Sequence, residues 1–168
     1  MCPDAEAIRL SGPVPVALRC VAASLRRSSA TVCDDGAAAG TAGRMVSLLD
    51  DPEQAILSAE DHAASAPASG WDWLVVIVTE AARKGEWPAR RGAALLHEFT
   101  RYAALAWAPR RIRINTLVLG AGLVDALGAA AAGEKQDQAA DSVAGTILGI
   151  GRWRSMTGQS IHLRWPGE

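Results

Sequence analysis

Apolar residues along the chain switch between short runs and helical spacing. Runs of about four to eight apolar or β-branched residues are typical of strands. They predict strands over residues 7–10, 30–33, 45–49, 74–78, 112–117 and 161–165. Between the first two runs, Val14, Leu18, Val21 and Leu25 recur every three or four positions, which puts them on one face of a helix. The pattern therefore predicts strands and helices in alternation.

Two further helices have recognisable boundaries. Asp51 is a good N-cap, and Pro52 suits the first helical position because the N–H that proline lacks has no partner there. A longer helix is predicted from about residue 90 to just before Pro109. The run at 74–78 is apolar at every position, as in a strand buried on both faces. The whole pattern predicts an α/β fold with a doubly wound parallel sheet of about six strands.

Length and charge limit the kind of protein. At 168 residues and a hydrophobic fraction of 49%, the chain is long enough to bury a core as a single domain over 1–168. Its formal net charge of −1 gives no electrostatic basis for nucleic-acid binding, so we expect no nucleic-acid partner. Adjacent arginines such as Arg110 and Arg111 are interpreted as solvated helix ends and turns.

The cysteines and the N-terminal segment favour a cytoplasmic protein. Cys2, Cys20 and Cys33 have neither metal-ligand spacing nor a paired framework, so we expect reduced thiols and no metal site. The acidic N-terminal segment lacks the apolar core of a signal peptide. The longest apolar run, at 73–78, is too short to cross a bilayer, so we expect no membrane partner.

One long segment carries a resemblance to a known family. Residues 94–120 read ALLHEFTRYAALAWAPRRIRINTLVLG. They resemble the active-site helix and following strand of the short-chain dehydrogenase/reductase family, which usually read Y-x-x-x-K, then L-T-R, then A-P-x-G-I-R-V-N-x-V-x-P-G. Residues 11–32, 51–55 and 141–162 resemble, in the family's order, its first turn, its D-P-E-Q helix start and its closing T-G-Q-x-I-H strand. The resemblance covers about 8–167 and is to 3-oxoacyl-ACP-reductase-type members.

The resemblance implies a three-layer, doubly wound Rossmann-like parallel sheet, shortened by about one βα unit. The family has a complete βαβ unit between its third strand and its active-site helix, whereas only the run at 73–79 lies in that interval here. Residues 72–75 resemble the family's fourth strand, but residues 77–82 resemble its fifth. Both assignments stay open at this point. In the second, the serine position falls on Thr79 or Glu80.

The catalytic positions implied by the resemblance hold residues that cannot transfer a proton. Counted back from the T-R match, the family's lysine falls on Ala93 and its tyrosine on Ala89. The single tyrosine, Tyr102, lies nine positions beyond the lysine position on the same helix. Lys84 lies in a predicted loop, and Thr79 is a weak candidate for the serine. We therefore expect no catalytic residue and no turnover.

The cofactor turn implied by the resemblance is altered in the same way. The family places glycine at three positions after its first strand, and these positions hold Gly12, Val16 and Leu18. Pro13 and Pro15 remove backbone N–H groups from the helix N-terminus, which is the anion-binding element. We therefore expect that NAD and NADP do not bind in the usual mode.

Three residues remain as weak cofactor-binding candidates. Gly12 is the one glycine kept from the turn, and Asp34 and Asp35 follow the second predicted strand, where an acid could hold a ribose diol. The register places the family's acid at Gly36 instead, so these two carboxylates miss the implied position by one or two residues.

The long helix has two apolar stripes, whereas a surface helix packed only on its own sheet needs one. The two stripes are, first, Leu95, Phe99, Tyr102 and Ala106, and second, Leu96, Ala103 and Trp107. In the family, this helix and the last strand pair with other subunits. We expect a homo- or hetero-oligomer with a dehydrogenase-type subunit. The expected contact residues are Leu96, Ala103 and Trp107 of the helix and Ile161, Leu163 and Trp165 of the strand.

Three functions are consistent with these residues. The chain is a non-catalytic dehydrogenase-like subunit, an NAD(P)-dependent oxidoreductase with an unorthodox site, or a decayed family member without a selected function. Loss of the catalytic positions together with the glycines favours the first or the third. Intact strand and helix patterning favours the first over the third, because drift would damage core positions as well.

Overall fold

Strands and helices alternate through most of the chain in the computed structural model, which describes residues 8–11, 18–28, 32–33, 44–48, 51–66, 74–80, 87–131 and 137–164. The strands are β1 (Ile8–Ser11), β2 (Val32–Cys33), β3 (Arg44–Leu48), β4 (Leu74–Glu80), β5 (Arg113–Leu119) and β6 (Gln159–Leu163). The helices are α1 (Arg19–Ser28), α2 (Pro52–Ala64), α3 (Trp87–Trp107), α4 (Ala121–Ala131) and α5 (Asp137–Arg152).

The six strands form one sheet in the order β2-β1-β3-β4-β5-β6. Every neighbouring pair is parallel, so all strands end at one edge of the sheet, the carboxyl edge, and begin at the other, the amino edge. Helices pack on both faces. The predicted α/β fold with a doubly wound parallel sheet of six strands is thus confirmed.

The strand order shows where the chain is shortened. In the usual doubly wound order 3-2-1-4-5-6, the third strand flanks the second. Here β3 pairs with β1 on the side away from β2, which is the place of a fourth strand. Within the described ranges, no strand flanks β2 on its outer side. β3 therefore corresponds to a fourth strand of that order rather than a third, so the expectation that the shortened interval follows the third strand is wrong. This makes β4 the counterpart of the fifth strand.

Two core layers explain the continuous apolar run of β4. Val76 and Val78 pack in a cluster with α1, α4 and α5 on one face of the sheet. Val75 and Ile77 pack in a second cluster with α2 and α3 on the other face. Because successive side chains of a strand point to opposite faces, a strand covered on both sides needs apolar residues at every position.

The two stripes of α3 are oriented opposite to the expectation. Leu96 and Ala103 are each 1% exposed and pack on the sheet, and Trp107 is half-buried against the same cluster. The expectation that Leu96 and Ala103 line a subunit interface is wrong, because the helix uses this stripe to cover its own sheet. In the other stripe Leu95 and Tyr102 are exposed on the outer surface, whereas Phe99 packs against the same cluster as Leu96.

The segment after Gly120 is a helix. In α4, Leu123 and Leu127 lie one turn apart and are both buried against α1 and α5. Alanine-rich sequence with leucines at this spacing has high helix propensity, which is the local reason for the helix. In β6, Ile161 and Leu163 are half-buried against the α1–α5 core, while Trp165 lies outside the described residues.

Candidate functional site

Doubly wound sheets bind ligands at the carboxyl edge, where the strand order reverses. In this sheet the chain passes from β1 outward to β2 and then returns to β3 on the other side of β1. The candidate site therefore lies beyond Ser11 of β1 and Leu48 of β3. The segments 12–17, 34–43, 49–50 and 81–86, which follow the first four strands in the chain, are outside the described residues.

Leu18 is the one altered position of the cofactor turn that the structure describes. Its side chain is 2% exposed and belongs to the same core cluster as Ile8 and Val21. Glycine at this position lets the helix approach the first strand closely in dinucleotide-binding folds, whereas here a branched side chain fills that space. At this position leucine packing therefore takes the place of the close helix–strand approach that glycine allows, and the expectation about NAD(P) stays a prediction.

The other cofactor positions are not part of the described ranges, so the expectations about them stay predictions. They are Gly12, Pro13, Pro15, Val16, Asp34 and Asp35.

The two positions that would carry acid–base chemistry lie near the start of α3. Ala93 is half-buried, one turn before the fully buried Leu96, and Ala89 belongs to the first turn of the helix. A methyl group has no proton to transfer at either position. Tyr102 is nine residues further on, roughly 13 Å along the helix axis, and its side chain is 71% exposed on the outer surface. The structure therefore does not bring the single tyrosine to this site.

Of the two remaining catalytic candidates, Thr79 and Lys84, only Thr79 lies within the described residues. Thr79 is the next-to-last residue of β4 and pairs in register with Val118 of β5, which puts its backbone near the carboxyl edge. The assignment of the serine position to Thr79 or Glu80 stays a prediction. Lys84 lies beyond the described part of the chain.

Sequence reasoning missed a group of buried polar residues on β5, and the structure uses them to join elements. The Thr100 hydroxyl of α3 donates to the Leu96 carbonyl at 2.6 Å and lies 2.6 Å from the Thr116 hydroxyl. The Asn115 amide donates to the Met156 carbonyl and accepts from the Gln159 backbone N–H, both at 3.2 Å. The signal in the sequence for these contacts was the presence of polar residues in an otherwise apolar strand. Their partners are structural, so they do not add to a reaction centre.

Two titratable side chains, Cys20 in the first turn of α1 and His62 near the end of α2, are buried. Burial raises the pKa of the Cys20 thiol, whose Sγ lies 3.8 Å from the Leu127 carbonyl oxygen. A buried thiol with a raised pKa is protonated at neutral pH and is a poor nucleophile. His62 is buried on the inner side of α2. Neither residue lies beside Ala89 or Ala93 in the helix that would carry the chemistry.

Among the described residues, no three or more histidine, cysteine, aspartate or glutamate side chains cluster closely enough to hold a metal ion. Over the same residues, no helix is both long and apolar enough to cross a membrane.

A groove lined by described residues lies on the outer surface of the protein. It has a volume of about 640 Å³ and runs between the start of α2 and the first half of α3. Its lining residues are Asp51, Pro52, Glu53, Arg91, Gly92, Ala94 and Leu95. At its floor the two helices nearly touch, because a Cβ at Gly92 would lie 2.5 Å from Pro52 Cγ. Only glycine permits this approach.

Comparison with known proteins gives a fold. The sequence matches no protein-family model, and no curated protein matches it. The structure resembles a double-mutant short-chain dehydrogenase/reductase from Serratia marcescens, with a TM-score of 0.66, 13% identity and 98% of each chain covered. It also resembles the 3-alpha-hydroxysteroid dehydrogenase from Pseudomonas sp. B-0831 complexed with NADH, with a TM-score of 0.57, 16% identity and 94% of each chain covered. The chain thus has a Rossmann-type fold like that of short-chain dehydrogenases/reductases.

Proposed function

We propose that this protein is a non-catalytic subunit related to 3-oxoacyl-ACP-reductase-type short-chain dehydrogenases, acting in the cytoplasm in an assembly with a second dehydrogenase-type subunit. The observation that carries the proposal is the placement of Ala93. It lies half-buried on the inner side of α3 in an intact sheet-and-helix scaffold, where the family resemblance requires a lysine. The core is well packed, but the positions that would carry acid–base chemistry hold alanine. This combination supports a role in assembly.

The outward stripe of α3 and the neighbouring side of α2 supply a surface for such an assembly, which we call the outer ridge. Four large apolar side chains define it: Leu57 is 54% exposed, Leu95 45%, Tyr102 71% and Leu105 79%. Full burial of a side chain of this size contributes roughly 1.5–3 kcal/mol, so these partly exposed groups leave several kcal/mol unused in the isolated chain. Water-exposed apolar groups concentrated on two adjacent helices favour a protein partner.

The groove beside the outer ridge is where part of the partner would bind. Leu95 belongs to both, and the Gly92–Pro52 approach keeps the floor of the groove rigid. Arg91 lies on one wall and Glu53 on the other, so a partner with both signs of charge is accommodated. The proposed interface therefore uses Leu57, Leu95 and Leu105, in place of the inward-facing Leu96 and Ala103.

Charge insertion on the outer ridge tests the association. In sedimentation velocity of the native protein, we expect Leu105→Glu and Tyr102→Glu to shift the complex to the mass of a single chain. Both side chains are exposed, so circular dichroism of the variants should match that of the unchanged protein. Ala129→Glu is the matched control, because Ala129 is an exposed helical position on α4. A single-chain mass for the unchanged protein at all concentrations, purified alone and with its native co-purifying proteins, would refute the proposal.

Trp107→Glu tests whether the inward stripe of α3, unlike the outer ridge, stabilises the fold of the single chain. Trp107 is half-buried and stacks edge-on against Phe99, with ring centroids 5.9 Å apart. A charge there should destabilise the fold by about 3 kcal/mol, because it replaces core packing with an unpaired ion. The expected result is loss of thermal stability, rather than dissociation of an intact fold.

Activity and cofactor measurements distinguish the proposal from its alternatives. We expect no binding heat on titration with NAD(P)H and no turnover of 3-oxoacyl thioesters, steroids or simple carbonyls. Turnover that follows the protein through purification and survives Tyr102→Phe and Lys84→Ala would favour an oxidoreductase with an unorthodox site. A broad, non-cooperative thermal transition without any partner would favour a decayed gene product.

A further inference from the structure

The amino edge of the sheet carries a basic patch that the proposed function does not use. It consists of Arg110, Arg111 and Arg113, which lead into β5, and Arg152, Trp153 and Arg154, which lead into β6. Because β5 and β6 are neighbours in the sheet, these two segments lie side by side. Residues 108–113 and 149–158 contain five arginines and no acidic residue, in a chain whose formal net charge is −1. Arg113 is buried and Arg110 donates to the Ala66 carbonyl at 3.1 Å, so the exposed side chains of the patch are those of Arg111, Arg152, Trp153 and Arg154.

Arg113 holds the turn after α5 in one conformation. Its guanidinium group donates to the carbonyls of Trp153 at 2.8 Å, Gly151 at 3.1 Å and Ile150 at 3.3 Å. These include carbonyls at the helix C-terminus that have no partner within the helix. The turn is closed further by backbone bonds from Met156 N–H to the Trp153 carbonyl at 2.9 Å and from Trp153 N–H to the Gly149 carbonyl at 3.2 Å.

The anchored turn presents a large aromatic side chain between two charged ones. Trp153 is 57% exposed, and Arg152 and Arg154 on either side of it are exposed as well. Tryptophan and arginine are the residue types most enriched at the energetic centres of protein interfaces. Because the backbone of Trp153 is already ordered, a partner that covers its indole ring loses less conformational entropy than it would with a mobile loop.

We propose that the amino edge is a docking site for an acidic protein segment that covers the Trp153 indole and pairs its carboxylates with the surrounding arginines. Guanidinium groups bind carboxylates through paired, charge-assisted hydrogen bonds, and they lose less hydration than lysine does. The site lies at the opposite edge of the sheet from the strand-order switch point. Its centre, Trp153, follows α5, whereas the outer ridge lies on α2 and α3.

The composition of the patch favours an acidic protein over other polyanions. Single-stranded nucleic acids bind to rows of aromatic side chains on which successive bases stack, whereas Trp153 is the one exposed aromatic residue of this edge among those described. A membrane surface is bound by a broad apolar face, whereas the exposed neighbours of Trp153 are Arg152, Arg154 and Ser155. A single indole ring fits one apolar pocket on a protein segment.

Fluorescence anisotropy with the full-length protein tests the site. The probe is a short fluorescein-labelled peptide of glutamates interleaved with leucine and phenylalanine, and its control carries lysine in place of each glutamate. We expect the acidic peptide alone to bind, and to bind more weakly as salt is raised. Trp153→Ala should weaken binding by about 30-fold, as expected for the centre of an interface. The double variant Arg152→Gln/Arg154→Gln should weaken it by about 10-fold.

Controls separate this site from the outer ridge and from other polyanions. Arg101→Gln removes an exposed arginine of α3 and should leave peptide affinity within about twofold. Trp153→Ala should leave the sedimentation behaviour of the native protein unchanged, so the two proposals fail separately. Equal peptide affinity in Trp153→Ala, or no peptide binding, would overturn the inference. The inference would also be overturned if the protein did not bind the peptide but bound oligo-dT or phosphatidylserine vesicles in a way that depends on Trp153.

Discussion

The two ends of the sheet are held together by different kinds of contact. At the β1 end, Leu18, Val21 and Leu25 pack in the apolar core, and the buried Ser24 of α1 donates to Asp141 of α5 rather than to a strand. At the β5–β6 end, buried polar side chains on β5 join α3, α5 and the strand β6 through hydrogen bonds. The candidate cofactor site lies at the first end, and the basic patch of the amino edge lies at the second.

The two ends differ in which buried polar side chains they contain. The β5–β6 end retains arginine, asparagine and threonine because each has a structural partner, and losing one would leave buried carbonyls or N–H groups unsatisfied. At the β1 end, Leu18 occupies a place that the family resemblance assigns to glycine, and it adds apolar packing. Polar side chains with structural partners therefore stabilise the β5–β6 end, whereas apolar packing dominates the described part of the β1 end.

The largest effect is expected from restoring glycine at the β1 end. Leu18→Gly removes a buried side chain from the first turn of α1 and should lower the free energy of unfolding by about 3–5 kcal/mol. Urea denaturation measures this loss. Leu18→Met is the control and should cost less than about 1.5 kcal/mol, since volume is nearly conserved. We also expect no gain of NADH binding by Leu18→Gly in calorimetry, and micromolar binding would show that this position alone closed the site.

Removing a polar contact at the other end should have the next largest effect. Arg113→Met keeps most of the side-chain volume but leaves the carbonyls of Ile150, Gly151 and Trp153 without their donor. The expected loss is about 3 kcal/mol, measured by urea denaturation. Arg101→Met, at an exposed position of α3, should stay within about 0.5 kcal/mol of the unchanged protein. Equal losses in the two variants would mean that Arg113 is not a structural contact.

A double-mutant cycle on Thr100 and Thr116 sharpens the comparison. Thr100→Val alone leaves the buried Thr116 hydroxyl without its partner and should cost about 1–2 kcal/mol. In the double variant with Thr116→Val both hydroxyls are gone, so the total loss should be smaller than the sum of the two single losses. Thermal unfolding of the four proteins gives the coupling energy. Strict additivity would show that the two hydroxyl groups do not interact.

The smallest effect concerns a surface contact between α1 and α5. The Ser24 hydroxyl donates to the Asp141 carboxylate, and Arg27 lies 3.2 Å from the same oxygen. The hydrogen bond from Ser24 and the nearby charge of Arg27 lower the pKa of Asp141 below its usual value. The unfolded chain therefore takes up the proton at higher pH than the folded protein, so this contribution to stability is present at neutral pH and is lost as the pH falls through the acidic range.

Comparison with Asp141→Asn checks the pH dependence. The difference in melting temperature between the unchanged protein and this variant should be largest near neutral pH and should shrink on acidification. Both partners of the ion pair are more than half exposed, so the difference should also shrink with added salt. A difference that grows as the pH falls would contradict the assigned direction of the pKa shift.

Much of the fold could be predicted from the sequence because its signals are local. The run at 74–78 predicts a strand covered on both faces, and β4 is one. Asp51 was predicted as an N-cap, and its carboxylate accepts hydrogen bonds from the backbone N–H groups of Glu53 and Gln54. The assignment of Ala89 and Ala93 to the acid–base positions rests on the family resemblance and stays a prediction.

The sequence by itself determined which residues form each element and which of them share a face. Only the tertiary structure decided that β3 lies beside β1, that Leu96 rather than Leu95 faces the sheet, and that Arg113 holds the turn carrying Trp153. The physical reason is the range of the interactions. Periodicity and capping depend on neighbours within one or two turns, whereas strand order, helix rotation and buried hydrogen bonds depend on residues that meet only when the chain is folded.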